Sequence, residues 1–150
     1  MGMRIGFLVG PPEVMHHIKQ LHYLLLLAPS TVGQWAALAA LDCPEDQLVP
    51  LRQEFRDKIT YLYKGISEIQ GITCVKPNGT FFIFPNVACF DMKSVDLALQ
   101  MIKEEGLKVL PGTEFGEAGE GYLRLSVTAK WDKVKEGLER FKRFADKHSR

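Results

Sequence analysis

At 150 residues, 46% apolar and 25% charged, the chain is long enough for a domain with its own core and has the make-up of a folded globular protein. A formal net charge of +1 gives no basic surface for nucleic acid, and Leu24 to Ala28 is apolar but far short of the ~20 residues a bilayer requires. Cys43, Cys74 and Cys89 are widely spaced and odd in number, with neither zinc spacing nor a disulfide framework, which suits a reducing cytoplasm.

Met3 to Val9 reads as a strand that begins almost at residue 1, and few strands follow to pair with it within the next sixty residues. Pro11-Pro12 ends any signal-peptide-like run and opens a helix in which Val14, Ile18, Leu21 and Leu25 share a face. Ala28-Pro29 stops that helix. Ser30 or Thr31 caps a second one through about Leu41, apolar nearly all round, which is easier to bury against another domain or subunit than inside this chain. Pro44-Glu45-Asp46 opens the longest helix, to about Gln70, with Leu48, Leu51, Phe55, Ile59, Leu62, Ile66 and Ile69 as one stripe.

Gly71 terminates this helix. Ile72–Val75 and Thr80–Phe84 read as a hairpin around Lys76-Pro-Asn-Gly79. Ser94–Glu105 is a helix with Val95, Ala98, Met101 and Ile102 inward, closed by Gly106. Leu107–Leu110 is a short strand, Pro111–Gly119 a glycine-rich loop, and Glu120–Thr128 a strand. A last helix, about Trp131 to Lys147, buries Trp131, Val134, Leu138, Phe141 and Phe144. The expected fold is therefore α+β: a small mixed or antiparallel sheet with helices on one face, preceded by a strand and two helices that look cut from a neighbouring unit.

Little of this carries obvious chemistry. His16, His17, His22 and His148 sit on helix surfaces or at the terminus with no acid at ligand spacing. Gly112-Thr-Glu-Phe-Gly116 lacks the lysine and following helix of a phosphate loop. Two arginines remain. Arg124 alternates with Leu123 and Leu125, so it lies on the polar face of an otherwise apolar strand. Arg4 lies in the opening strand, with Gly6 next on the same face. Each admits two readings: a solvated or ion-paired side chain, or a planar fork that takes a carboxylate or phosphate through paired hydrogen bonds.

The motifs together resemble the C-terminal portion of class I/II pyridoxal-phosphate-dependent aminotransferases (fold type I, the aspartate-aminotransferase superfamily, an α/β parent). Gly2-Met-Arg-Ile-Gly-Phe-Leu-Val-Gly10 is similar to the family's Gly-x-Arg-x-Gly strand, and Gln34-Trp-Ala-Ala-Leu-Ala-Ala-Leu41 to its buried helix. Pro77-Asn-Gly-Thr-Phe-Phe-Ile-Phe84 is similar to its hairpin. Pro111-Gly-Thr-Glu-Phe-Gly116 and Gly121-Tyr-Leu-Arg-Leu-Ser126 are similar to its loop and carboxylate-binding strand.

The resemblance implies that Arg4 holds the phosphate of pyridoxal phosphate, that Arg124 holds the substrate α-carboxylate, and that Phe81 approaches the substrate. It implies amino acid and 2-oxo acid substrates and a homo-oligomer, with residues 1–42 the end of the large cofactor-binding domain and 43–150 the small domain. In this family the Schiff-base lysine lies a few residues before the Gly-x-Arg-x-Gly strand, where this sequence has only Met1, Gly2 and Met3. No catalytic residue is therefore expected here, and the chain alone is expected to be inactive and not to hold the cofactor. The rival reading is a non-catalytic, ferredoxin-like α+β module for binding or oligomerisation. Either way, the helix at 32–41 and the segment 3–9 are expected to expose apolar surface and drive self-association.

Overall fold

Proline and its neighbours set where the helices begin. In the computed structural model, which describes residues 2–148, α1 runs Pro12–Leu26 with Pro in its first turn and Glu13 complementing the dipole. In α2, Thr31–Leu41, the Ser30 hydroxyl accepts the Gly33 N–H at 3.3 Å, as its N-cap position favours. The chain divides into two compact units, one up to Val49 and one from Pro50 on. The division lies inside α3, Glu45–Ser67, whereas the assignment from sequence places its boundary at 42/43. Pro50 has no N–H for the Asp46 carbonyl, which breaks the helix ladder at that point.

In the first unit, no residue of α1 is buried and only Gly33 of α2 is. A Cβ on Gly33 would lie 3.3 Å from the Met3 carbonyl oxygen and 3.7 Å from the Ile5 Cβ, so the opening segment crosses α2 at its first turn. The strand expected at 3–9 does not form: residues 4–10 have no regular structure, and Arg4 takes φ +47°. A strand exists only by pairing, and none of the described residues of this unit forms a second strand for it to pair with. The face of α2 carrying Val32, Trp35, Leu38 and Leu41 is exposed, as are Phe7, Leu8 and Val9, as expected for these two segments.

The second unit has its own core. Three antiparallel strands stand in the order β1-β3-β2: β1 is Phe82–Ile83, β2 Leu110–Pro111 and β3 Leu123–Ser126. Ile83, Leu123, Leu125 and Val127 point to one side. There they join Ile59, Leu62 and Ile66 of α3, Leu97, Ala98 and Met101 of α4 (Ser94–Glu105), and Val134, Leu138, Phe141 and Phe144 of α5 (Trp131–His148). This is the expected sheet with helices on one face.

Other details differ from the sequence reading: the strand expected at 107–110 stands at Leu110–Pro111, and Leu51 of the α3 stripe is exposed. Residues 72–75 do not form a hairpin with 80–84; Thr73 instead bridges Asn86, because Pro77 lengthens the connection and shifts the pairing beyond Phe84. Leu97 takes the inward position in α4, and Val95 and Ile102 are exposed, so the buried stripe is rotated about the helix axis. Trp131 is 39% exposed, its ring lying edge-on 5.3 Å from Tyr61.

Buried charge in this unit is paired. The Lys58 ammonium donates to the Ala129 carbonyl at 2.8 Å and meets Glu54 at 2.6 Å. The Glu105 carboxylate lies between Arg143, at 3.0 Å, and Lys147, while Arg140 donates to the Glu105 and Gly106 carbonyls at the end of α4.

Candidate functional site

The face of the sheet opposite the helices carries a different chemistry. Period-two alternation puts Phe82 and Phe84 of the β1 stretch, and Tyr122, Arg124 and Ser126 of the β3 stretch, on it. In the observed register Phe82 pairs with Ser126, so Phe82 is the diagonal neighbour of Arg124, within reach of a long side chain. The Arg124 Cζ lies 4.1 Å from the centre of the Phe82 ring and 4.3 Å from that of Phe115. Tyr122 and Phe84 stack beside it at 5.3 Å and 12°, and Phe84 meets Phe115 edge-on at 6.2 Å.

Phe115 comes from the loop between β2 and β3, and two features fix that loop. The first is a backbone crossing. Gly112 donates its N–H to the Tyr122 carbonyl at 2.8 Å. A Cβ on Gly112 would lie 2.1 Å from the Gly119 oxygen, and one on Gly119 2.0 Å from the Gly112 oxygen. Only glycine fits either position.

The second feature is a latch. Glu120 Oε1 accepts the Ser94 N–H at 2.8 Å, the Ser94 hydroxyl at 2.9 Å and the Gly121 N–H at 3.1 Å. The Gly121 N–H also reaches Ser94 Oγ at 2.9 Å. Ser94 is wholly buried, and Glu120 serves as the acceptor for the N-terminus of α4. The Ser94 backbone N–H first, then its hydroxyl and the Gly121 N–H, hold the Glu120 carboxyl below the usual glutamate range.

Arg124 makes no hydrogen bond or ion pair among the described residues, although it is half-buried. Arg140 and Arg143, by contrast, are committed to Glu136 and Glu105. No buried side-chain nitrogen or oxygen among the described residues lacks a partner, so each guanidinium nitrogen of Arg124 keeps access to solvent. The arrangement is a permanently charged fork packed against two rings, with its nitrogens open to solvent. A group so placed accepts a carboxylate or phosphate through coplanar N–H donors.

The other residues singled out in the sequence fall as follows. Phe81 adjoins this site rather than facing it: its ring is 4.4 Å from Phe82 and 6.0 Å from Phe55 of α3. Arg4 belongs to the first unit, is exposed and has no protein partner among the described residues. Phe82 and Phe115 were not singled out in the sequence. The signal that points to Phe82 is its offset from Arg124 once the β1–β3 register is known, and Phe115 has none short of the folded loop. Among the described residues no three His, Cys, Asp or Glu side chains are placed to hold a metal, and no helix is long and apolar enough to cross a membrane.

Known proteins share this sequence and this fold. A family model described as aminotransferase class I and II matches residues 1–141. A probable N-acetyl-LL-diaminopimelate aminotransferase of Bacillus subtilis is 35% identical over 143 residues, which cover 95% of this chain and 36% of that protein. An aspartate aminotransferase of the same organism is 33% identical over 154 residues, covering 99% of this chain and 38% of that one. Among solved structures, an aromatic aminotransferase from Pyrococcus horikoshii superposes with a TM-score of 0.84 at 31% identity, over 97% of this chain and 39% of that one. The chain thus spans little more than a third of the length of the relatives it matches.

Proposed function

This chain belongs to the aminotransferase class I and II family, and we propose that it forms the C-terminal part of a pyridoxal-phosphate-dependent aminotransferase, in which Arg124 grips the α-carboxylate of the amino acid and 2-oxo acid substrates. One observation carries the reading: a half-buried guanidinium, packed against both Phe82 and Phe115, with no acid partner among the described residues. A structural arginine has a carboxylate or carbonyl partner, as Arg140 and Arg143 of α5 have; one held in place without a partner is ready for a ligand's. Phe81, packed between Phe55 and Phe82, supports that approach from behind Phe82. Residues 43–150 act as the small domain, and 1–42 as the end of the large one.

The cofactor's own contacts are fewer. Arg4 fits a phosphate: it is exposed, carries no acid partner among the described residues, and adjoins Gly6, where an added Cβ would meet nothing within 4 Å. When bound, pyridoxal phosphate supplies the electron sink for amino-group transfer. Arg4 would hold its phosphate while Arg124 orients the substrate. We assign no catalytic residue within these 150 residues. Lys58 is spent on Ala129 and Glu54, and Lys19, Lys64 and Lys76 lack the motif context of a Schiff-base lysine. The complete enzyme works in the cytoplasm as a homo-oligomer whose other segments cover α2.

The 150-residue chain, incubated with pyridoxal phosphate, an amino acid and 2-oxoglutarate, is expected to show no turnover. Turnover together with a borohydride-trapped adduct on one lysine overturns that assignment. In the complete enzyme, Arg124→Gln is expected to raise KM for both substrates by roughly ten- to a hundredfold, the loss of a charge-assisted bidentate pair; an unchanged KM removes Arg124 from the carboxylate site.

A further inference from the structure

An arginine side chain has four rotatable bonds, and holding its fork in one plane costs conformational entropy that a ligand would otherwise have to supply. Here two rings of the protein pack against the guanidinium. Phe82 lies 4.1 Å from Cζ and Phe115 4.3 Å, both within the range of attraction between a guanidinium and a ring face.

The two rings are anchored independently. Phe82 is set by the β1–β3 register. Phe115, although 51% exposed, is held by a loop pinned at its base by the Gly112–Gly119 crossing and the Glu120–Ser94 latch. Phe84 further braces the Phe115 ring edge-on. With both rings packed against Cζ and each guanidinium nitrogen still reached by solvent, the N–H groups are the part of the side chain left for two carboxylate oxygens to meet.

We propose that Phe82 and Phe115 are positioning residues for Arg124, fixing the plane of its guanidinium so that a carboxylate meets its N–H edge without first ordering the side chain. This rests on the reading of Arg124 as a carboxylate clamp and adds to it the source of the clamp's preorganisation. It also accounts for an exposed phenylalanine on a loop that the core does not need.

The test is nuclear magnetic resonance of the full chain, following the Arg124 Nε–Hε signal while acetate is titrated, with chloride as the control. In the wild type, the stacked rings are expected to move the Hε signal upfield by ring current, and acetate, but not chloride, to shift it further. Phe115→Tyr keeps the stack and is expected to match the wild type. Phe115→Leu and Phe82→Leu are each expected to bring the signal back toward the position of a free arginine and to weaken acetate binding about threefold, the scale of one exposed cation–ring contact. The amide dispersion of β3 reports that each variant is folded.

Leucine variants that keep both the wild-type shift and the wild-type acetate affinity overturn the positioning role and leave the clamp standing. Acetate that moves the Arg124 Nε–Hε signal in none of the proteins that keep Arg124, or that shifts the neighbouring β3 backbone amides as much in Arg124→Lys as in the wild type, overturns the clamp itself.

Discussion

The two units of this chain are built to different standards of self-sufficiency. Beyond Pro50, α3, α4 and α5 bury aromatic and aliphatic side chains against one face of a sheet, and Phe141, Phe144, Leu97 and Leu123 are essentially inaccessible. Before it, two helices of comparable regularity bury a single glycine between them, and Trp35 is 69% exposed. Helical periodicity and good capping are present in both. What separates them is whether the apolar stripe has an opposing surface, since most helix stability in proteins comes from tertiary packing rather than propensity. The first unit therefore has the surface of an interface, and the second that of a domain.

The sharpest way to break this contrast is to delete one large side chain on each side of it. Phe141→Ala is expected to destabilise the second unit by about 3–5 kcal/mol, the cost of a large cavity in a closed core. Trp35→Ala is expected to change the melting of the same unit by less than about 0.5 kcal/mol. Thermal or urea denaturation followed by the Trp131 fluorescence measures both, and a comparable loss from Trp35→Ala would show that the first unit contributes to the same cooperative core.

A smaller effect is expected at the loop. Gly119→Ala places a methyl against the Gly112 carbonyl, at a distance no neighbour can relieve by rotating a side chain. We expect a loss of about 2–3 kcal/mol in the same denaturation, together with loss of the ring-current shift at Arg124. A stable Gly119→Ala protein with an unaltered Arg124 signal would show that the crossing is not what places Phe115.

The mildest contrast is acidity. Four carboxyls of the second unit, Glu104, Glu105, Glu120 and Glu136, are held below the usual glutamate range. Hydrogen bonds from Lys133 and then Arg140 bring Glu136 down to about 2 from 4.5. A carboxyl that resists protonation in the folded chain stabilises it fully above the unfolded value, and that contribution is lost as pH falls through the folded one. Stability of the second unit is thus expected to be level near neutrality and to decline from about pH 4.5 towards 2, with a shallower decline in Glu136→Gln. Denaturation midpoints measured across that range check it; a decline that sets in above pH 6 would implicate other groups.

Local chemistry was legible in the sequence, and pairing was not. Ser30 as a cap, Gly106 as the stop of α4, and the faces of α3 and α5 are decided within a few residues, and they stand where the spacing puts them apart from Leu51 and Trp131, which are exposed. The alternation around Arg124 is equally local. The strand expected at 3–9 fails because β structure depends on a partner elsewhere, and the hairpin around Asn78-Gly79 fails because Thr73 finds Asn86 instead. Phe82 and Phe115 were invisible for the same reason. Each is an ordinary apolar residue until register and loop closure bring both rings to one guanidinium, just as Glu120 is an ordinary acid until the fold brings it to Ser94, 26 residues away.

The crossing at Gly112 and Gly119 also bears on how this site can change over generations. Each glycine excludes a side chain at its own position by contact with the other's backbone, so a substitution at one cannot be rescued by a substitution at the other. The two positions are closed to drift, whereas Phe82 and Phe115 can exchange for other aromatic residues and still pack against a guanidinium. Diversification of what this clamp accepts is therefore channelled into the rings, with the peptide geometry beneath them held invariant.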